Sequence, residues 1–133
     1  MKTHELKLDI KYFDEVKNGT KNFEIRKNDR DFKVGDILEL KAFKDGFYAK
    51  KGSSWHTMGS DCCFYTQQQA DTIKVKVKEV IKAEQLNQRD WDDETLETIW
   101  NINWPNVMEV LVDYFDTDQM PYDYVLMEVE VVK

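Results

Sequence analysis

Cysteine, proline, histidine and glycine are all scarce in this chain: two, two, two and five among 133 residues. The two cysteines, Cys62 and Cys63, are adjacent, a spacing that disulfide geometry disfavours. No other cysteine is available, so a disulfide scaffold is excluded and a reducing compartment is expected. So little proline and glycine excludes collagen-like and low-complexity chains. No apolar run approaches the ~20 residues that span a bilayer, so no membrane partner is expected. Met1 to Lys7 lacks the apolar run of a signal peptide, which makes a cytoplasmic location the expectation. The Asn18-Gly19-Thr20 sequon is then without consequence. No glycine-rich phosphate loop, dinucleotide fingerprint or Ser–His–Asp pattern appears, and no cofactor is expected.

What is present points to a folded domain. Aromatic residues reach 13%, with four Trp, six Tyr and seven Phe, too many for a disordered chain. They imply a packed interior or a wet aromatic cleft. A chain of this length is one domain and buries roughly two-thirds of its unfolded surface. Charge is uneven. Net charge is −7 overall, yet residues 1–53 carry +3 and residues 54–133 carry −10. Lys17, Lys21, Arg26, Lys27, Arg30 and Lys33 crowd one short stretch against Glu24, Asp29 and Asp31. The whole surface is unsuited to coating nucleic acid, but a local basic site for phosphate or carboxylate is compatible with it.

Period-two alternation predicts strands at His4–Ile10, with Leu6, Leu8 and Ile10 on one face, and at Asn22–Arg26. Tyr12, Phe13 and Val16 sit at helical spacing before Asn18-Gly19 ends the turn. Ile37–Phe43 reads as a third strand, with Asp45-Gly46 as a hairpin turn. Thr72–Ile81 alternates apolar residues with lysines; Tyr124–Val132 alternates them with glutamates. Opposite charges across neighbouring strands are favourable, so these two strands are expected side by side. Between them, Asp92-Asp93-Glu94 suits a helix N-terminus, and Leu96, Ile99 and Trp100 form an apolar stripe. Pro105 opens a second helix whose buried face is Val107, Leu111 and Tyr114 with Met108 and Phe115. The fold class is α+β, with short strands curling into a small barrel that hides its edges.

The densest polar cluster is Gly19-Thr20-Lys21-Asn22-Phe23-Glu24-Ile25-Arg26. Glu24 and Arg26, two apart, share a strand face, with Lys21 where the strand begins. Arginine offers a flat fork for phosphate or a base edge, lysine a point charge, and glutamate an acceptor for amino groups. A raised glutamate pKa would let it shuttle a proton. The alternative is a solvated Glu–Arg pair on a strand surface. His56, Cys62 and Cys63 supply three ligand types but match no zinc spacing and lack a fourth ligand, so no metal is expected. A Cys–His nucleophile has no visible third group. Trp55, Phe64 and Tyr65 either stack bases or cap the core. Trp91, Trp100 and Trp104 read as helix-packing residues.

The Gly19-to-Arg26 run resembles the hallmark Gly-x-Lys-x-x-Glu-x-Arg of ASCH domains, in the PUA-like superfamily of small barrels. His4-Glu5-Leu6-Lys7, Tyr12-Phe13 and the stretch from Phe23 to Leu38 look like an uncharacterised ASCH-like subgroup of bacteria and their phages. The resemblance covers about the first 45 residues. It implies a PUA-like small mixed β-barrel with flanking helices over residues 1–133. Irregular and acidic helical insertions then fall at about 47–71 and 85–122. It also implies a cleft for nucleic acid or a nucleotide, with Lys21, Glu24 and Arg26 as cleft residues. Lys27, Asn28 and Arg30 join them by proximity and type.

One ASCH-like branch is similar in part but enzymatic: small amidohydrolases that remove acetyl from N4-acetylcytidine with a Thr, a Lys and a Glu. The Lys falls on Lys21, but the Thr falls where this chain has Glu24. A carboxylate does not replace a hydroxyl nucleophile. The leading expectation is therefore an RNA-, nucleotide- or nucleoside-binding module. The alternatives are a modified-nucleoside hydrolase with Lys21 and Glu24 as its acid–base pair, and a protein-interaction domain using the acidic helices.

Overall fold

A computed structural model describes residues 2–44, 47–49 and 68–132. Their strands are β1 (Thr3–Asp9), β2 (Phe23–Lys27), β3 (Ile37–Lys44), β4 (Phe47–Tyr48), β5 (Thr72–Lys82) and β6 (Tyr124–Val131). The helices are α1 (Phe13–Lys17), α2 (Ala83–Asn87), α3 (Asp93–Asn101) and α4 (Trp104–Phe115). A single 3-10 turn, Ile10–Tyr12, joins β1 to α1. Sheet order is β1-β3-β5-β6-β2, with β4 added to β3. Only β1 and β3 run parallel; the other pairs are antiparallel. The fold is mixed α+β, a curled, half-barrel-like sheet flanked by helices.

Alternation sends one set of side chains inside the curl. Leu6, Leu8, Leu38, Leu40, Val75, Val77, Met127 and Val129 form the inner cluster, closed by Phe13 and Val16 of α1. Gly19 ends α1 with φ +85°, a value glycine adopts without strain. A second cluster lies on the outer face, where Phe23, Ile81 and Leu126 meet Leu86, Ile99, Val107 and Leu111 of the helices. A β-bulge between Val77 and Glu79 lets β5 serve both. It resets the alternation, so that Ile73, Val75 and Val77 point inward whereas Ile81 joins the outer cluster.

The lysine and glutamate strands do lie side by side. Lys76 faces Glu130 in register, and Lys78 Nζ is 3.2 Å from Glu130. Two helix faces differ from expectation. On α3 the buried residues are Thr95, Thr98 and Ile99, and Trp100 is 75% exposed. On α4 the buried residues are Val107, Val110 and Leu111, whereas Tyr114 is exposed. Val107 and Leu111 keep the expected α4 face, with Met108 and Phe115 packed against the outer cluster and Val110 taking the place expected of Tyr114; on α3 only Ile99 of the expected stripe is buried. The helix starts hold: Asp92 accepts from Thr95 N, Asn103 accepts from Asn106 N, and Pro105 sits in the first turn. Trp91 and Trp104 meet edge to face at 5.2 Å. The Asp45-Gly46 turn, Trp55, His56, Cys62, Cys63, Phe64 and Tyr65 lie outside the described residues; the flanking β3–β4 pair is antiparallel.

Buried Asp36 fastens the beginnings of β1 and β3. It accepts from Lys2 N at 3.0 Å, His4 Nε2 at 2.9 Å and Lys33 N at 3.1 Å. Burial pushes its carboxyl up, but these three donors outweigh that and hold it below the usual range. Its stabilising effect is therefore present above the ordinary carboxylate pKa and lost as pH falls. Asp36→Ala strands three donors and is expected to cost roughly 2–4 kcal/mol in urea unfolding at neutral pH. A loss under about 0.5 kcal/mol would show that the turn holds without it.

Candidate functional site

Among the described residues β1 and β2 end the main strand order, and the polar residues singled out in the sequence gather where they approach. Phe23 of β2 faces the outer helices, which turns Glu24 and Arg26 to the opposite side. Lys21, just before the strand, is buried; its Nζ donates to Glu24 Oε1 and to the Phe23 carbonyl, both at 3.0 Å. The same ammonium lies 4.8 Å from the centre of the Phe23 ring and 5.4 Å from that of Tyr12. Arg26 Nε donates to Glu24 Oε2 at 3.0 Å, so each carboxylate oxygen has its own cation.

Arg26 also spans the seam. Its guanidinium donates to the Lys7 carbonyl on β1 at 2.7 Å. Arg30 repeats the contact one pleat along, donating to the Glu5 carbonyl at 2.9 Å. Unpaired edge carbonyls of β1 are thus satisfied by guanidinium groups rather than by a neighbouring strand.

Two cavities flank Arg26. One, of about 470 Å³, has Lys21, Glu24 and Arg26 among its lining residues, with Tyr12, Tyr114 and Tyr124 providing aromatic wall. Phe115 and Val110 of α4 complete that wall. The end of α4 is pinned there by Asp113, which accepts from Lys11 Nζ at 2.8 Å and from the Tyr12 hydroxyl at 3.2 Å. Burial, reinforced by Tyr114, pushes the Tyr12 phenol well above its ordinary value, so it remains a donor. The second cavity, about 420 Å³, lies over the seam and the outer side of β1 and β3. Lys7, Arg26, Lys27, Arg30 and Lys41 are its cations.

Glu24 is an anionic acceptor. Burial alone would push its carboxyl up, but Lys21 and Arg26 outweigh that and hold it below its ordinary value. The raised pKa that a proton shuttle needs is therefore not what this environment produces. Thr20 is exposed and is not part of the aromatic cavity's lining, which includes no Ser, Thr or Cys among the described residues.

Lys21, Glu24, Arg26 and Lys27 thus share one cavity, and Arg26, Lys27 and Arg30 share the other. Asn28 is in neither. Its side chain accepts from Phe32 N at 3.3 Å and shapes the loop after β2. Sequence reasoning missed Lys7, Lys41, Tyr12, Tyr114 and Tyr124 as site residues. Lys7 and Lys41 are register partners on adjacent strands, a signal that appears only once β1 and β3 are paired. Among the described residues no group of three His, Cys, Asp or Glu is placed to hold a metal ion. No helix among them is long and apolar enough to cross a membrane.

Fold and site together define a small α+β protein with a charged cleft at the seam of a curled sheet. The chain belongs to the family described as a domain of unknown function, DUF3850, whose model matches residues 3–90. Helices α3 and α4 lie beyond that match. An uncharacterized 12.9 kDa protein in the GpA 3′ region of Escherichia phage P2 is 47% identical over 47 residues. That alignment covers 35% of this chain and 43% of the relative, so the chain spans less than half the length of that protein. The crystal structure of hypothetical protein PH0355 is similar at TM-score 0.48 and 21% identity, over 99% of this chain and 100% of that one. The solution structure of PF0455 from Pyrococcus furiosus is similar at TM-score 0.45 and 17% identity, over 100% and 99%.

Glu24→Gln leaves the buried Lys21 ammonium without its counter-charge. The expected cost at neutral pH is about 3–5 kcal/mol, read by urea unfolding. Because the Glu24 pKa is lowered in the folded state, wild type should lose this contribution as pH falls through the carboxylate range. The variant's stability should fall less over the same range; parallel pH profiles would overturn the account.

Proposed function

We propose that this protein is an ASCH-like binding module of PUA-like barrel type that holds RNA, or a nucleotide or nucleoside fragment of it, in the cleft beside Arg26. The observation that carries this reading is the composition of one cavity. Its lining combines a fixed Lys–Glu–Arg network with a set of tyrosine and phenylalanine rings. A planar base has both a π-face and a polar edge, and such a cavity offers a partner to each. In this reading Tyr114, half exposed beside the cavity, serves as the stacking platform. Glu24, ionised and held from both sides, suits an amino group of the base. The acidity of the whole chain favours a short ligand, since tight binding to long RNA needs many phosphate contacts.

The hydrolase alternative draws less support. Its hydroxyl nucleophile has no Ser or Thr counterpart among the described lining residues, and Glu24 is held ionised. The acidic helices have structural work that needs no protein partner: Asp92 caps α3 and Asp113 anchors Lys11 and Tyr12.

The test is fluorescence titration with short labelled RNAs and calorimetry with free nucleosides, comparing wild type with Tyr114→Ala and Arg26→Lys. Tyr114→Ala touches no buried core and should weaken binding by roughly tenfold through lost stacking. Binding that neither substitution changes would place the ligand elsewhere. No binding to any RNA or nucleoside would overturn the reading.

A further inference from the structure

The cavity on the far side of Arg26 has a composition that its own neighbours do not balance. Lys7 and Lys41 face each other in register on β1 and β3. Like charges in that arrangement repel. Lys41 is also nine-tenths buried, and its Nζ donates to the Thr72 hydroxyl at 3.0 Å. No carboxylate among the described residues forms an ion pair with it. Lys7 rests over the Phe43 ring at 4.7 Å, and no ion pair joins it to a carboxylate among the described residues. Arg30 spends one nitrogen on the Glu5 carbonyl and keeps the rest of its fork. The carboxylates lining the cavity, Glu5 and Asp29, are both exposed.

A buried ammonium with no carboxylate partner among the described residues, beside a second lysine and an arginine fork, is costly unless an anion arrives. The tetrahedral oxygens of a phosphate match that donor set: a fork from Arg30 and point charges from Lys7 and Lys41. Arg26 lines both cavities, with its Nε on Glu24 and its other end on the Lys7 carbonyl. We propose that this second cavity is a phosphate subsite in which Lys7, Arg30 and Lys41 hold the phosphate of a nucleotide, while its base occupies the aromatic cavity and Arg26 lies between them. The assignment of the ligand as a nucleotide rests on the reading of the aromatic cavity given above. The subsite itself rests on the lysine pair and on Arg30. It divides the work differently from the sequence expectation: Lys21 is committed to Glu24, and phosphate recognition falls to β1, β3 and the loop after β2.

The experiment is calorimetric titration of the full chain with the four ribonucleosides, their 3′- and 5′-monophosphates, and inorganic phosphate, at low and high salt. At least one monophosphate should bind about tenfold or more tightly than its nucleoside, with the gain shrinking as salt rises. Arg30→Gln, at an exposed position, should remove most of that gain. Lys41→Gln should do the same, with circular dichroism reporting whether it folds. Equal binding of nucleosides and monophosphates would overturn the subsite and leave the aromatic cavity as a nucleoside site. A gain that survives Arg30→Gln would likewise overturn it. Inorganic phosphate binding as tightly as any monophosphate, and lost with Arg30, would uphold the subsite and overturn the nucleotide reading. Binding of none of these probes would overturn both.

Discussion

The guanidinium of Arg26 is the point on which the arrangement of this molecule turns. A curled sheet that stops short of closing leaves two edges, and an edge strand presents polar backbone groups that need partners. Here β1 and β2 form no ladder with each other. Arg26 bridges them, one nitrogen on the Glu24 carboxylate of its own strand and another on the Lys7 carbonyl opposite. Arg30 adds a second bridge at Glu5. Arg26 lines a cavity on each side of this bridge.

Holding Arg26 in that position requires a fixed anion, and the anion requires a second cation. Glu24 is almost fully buried, which would drive its carboxyl toward the neutral form; Lys21 on one oxygen and Arg26 on the other reverse that. Lys21 in turn is enclosed by Tyr12, Phe23 and the Phe23 carbonyl, so its charge is directed at Glu24. Replacing such a network by apolar residues is often neutral for stability.

The helices contribute more to the site than their composition suggests. The acidic segment reads as a helical insertion, yet α4 supplies Val110, Tyr114 and Phe115 to the cleft wall. Asp113 sets the position of that wall through Lys11 and Tyr12. The family match ends at residue 90, before α3 and α4. The charged floor of the cavity therefore comes from the matched part of the chain, and much of its aromatic wall from beyond it.

Local pattern determined a large part of this protein. Alternation in Leu6–Leu8, Ile73–Val77 and Met127–Val131 sufficed for the strands, because a half-buried strand imposes period two whatever it packs against. The charge of Lys76 and Glu130 foretold that β5 and β6 are neighbours. The Gly19, Lys21, Glu24, Arg26 spacing marked out the cluster, since two residues apart on a strand means one face. Tertiary structure decided the rest. The bulge after Val77 turned Ile81 to the outer cluster, and packing left Trp100 and Tyr114 exposed. Pairing of β1 with β3 brought Lys7 against Lys41 across 34 residues of chain. Periodicity reports which face of an element is apolar; it carries no information about which element that face will meet. A cleft made from two strand edges and one helix end is therefore absent from any single stretch of sequence.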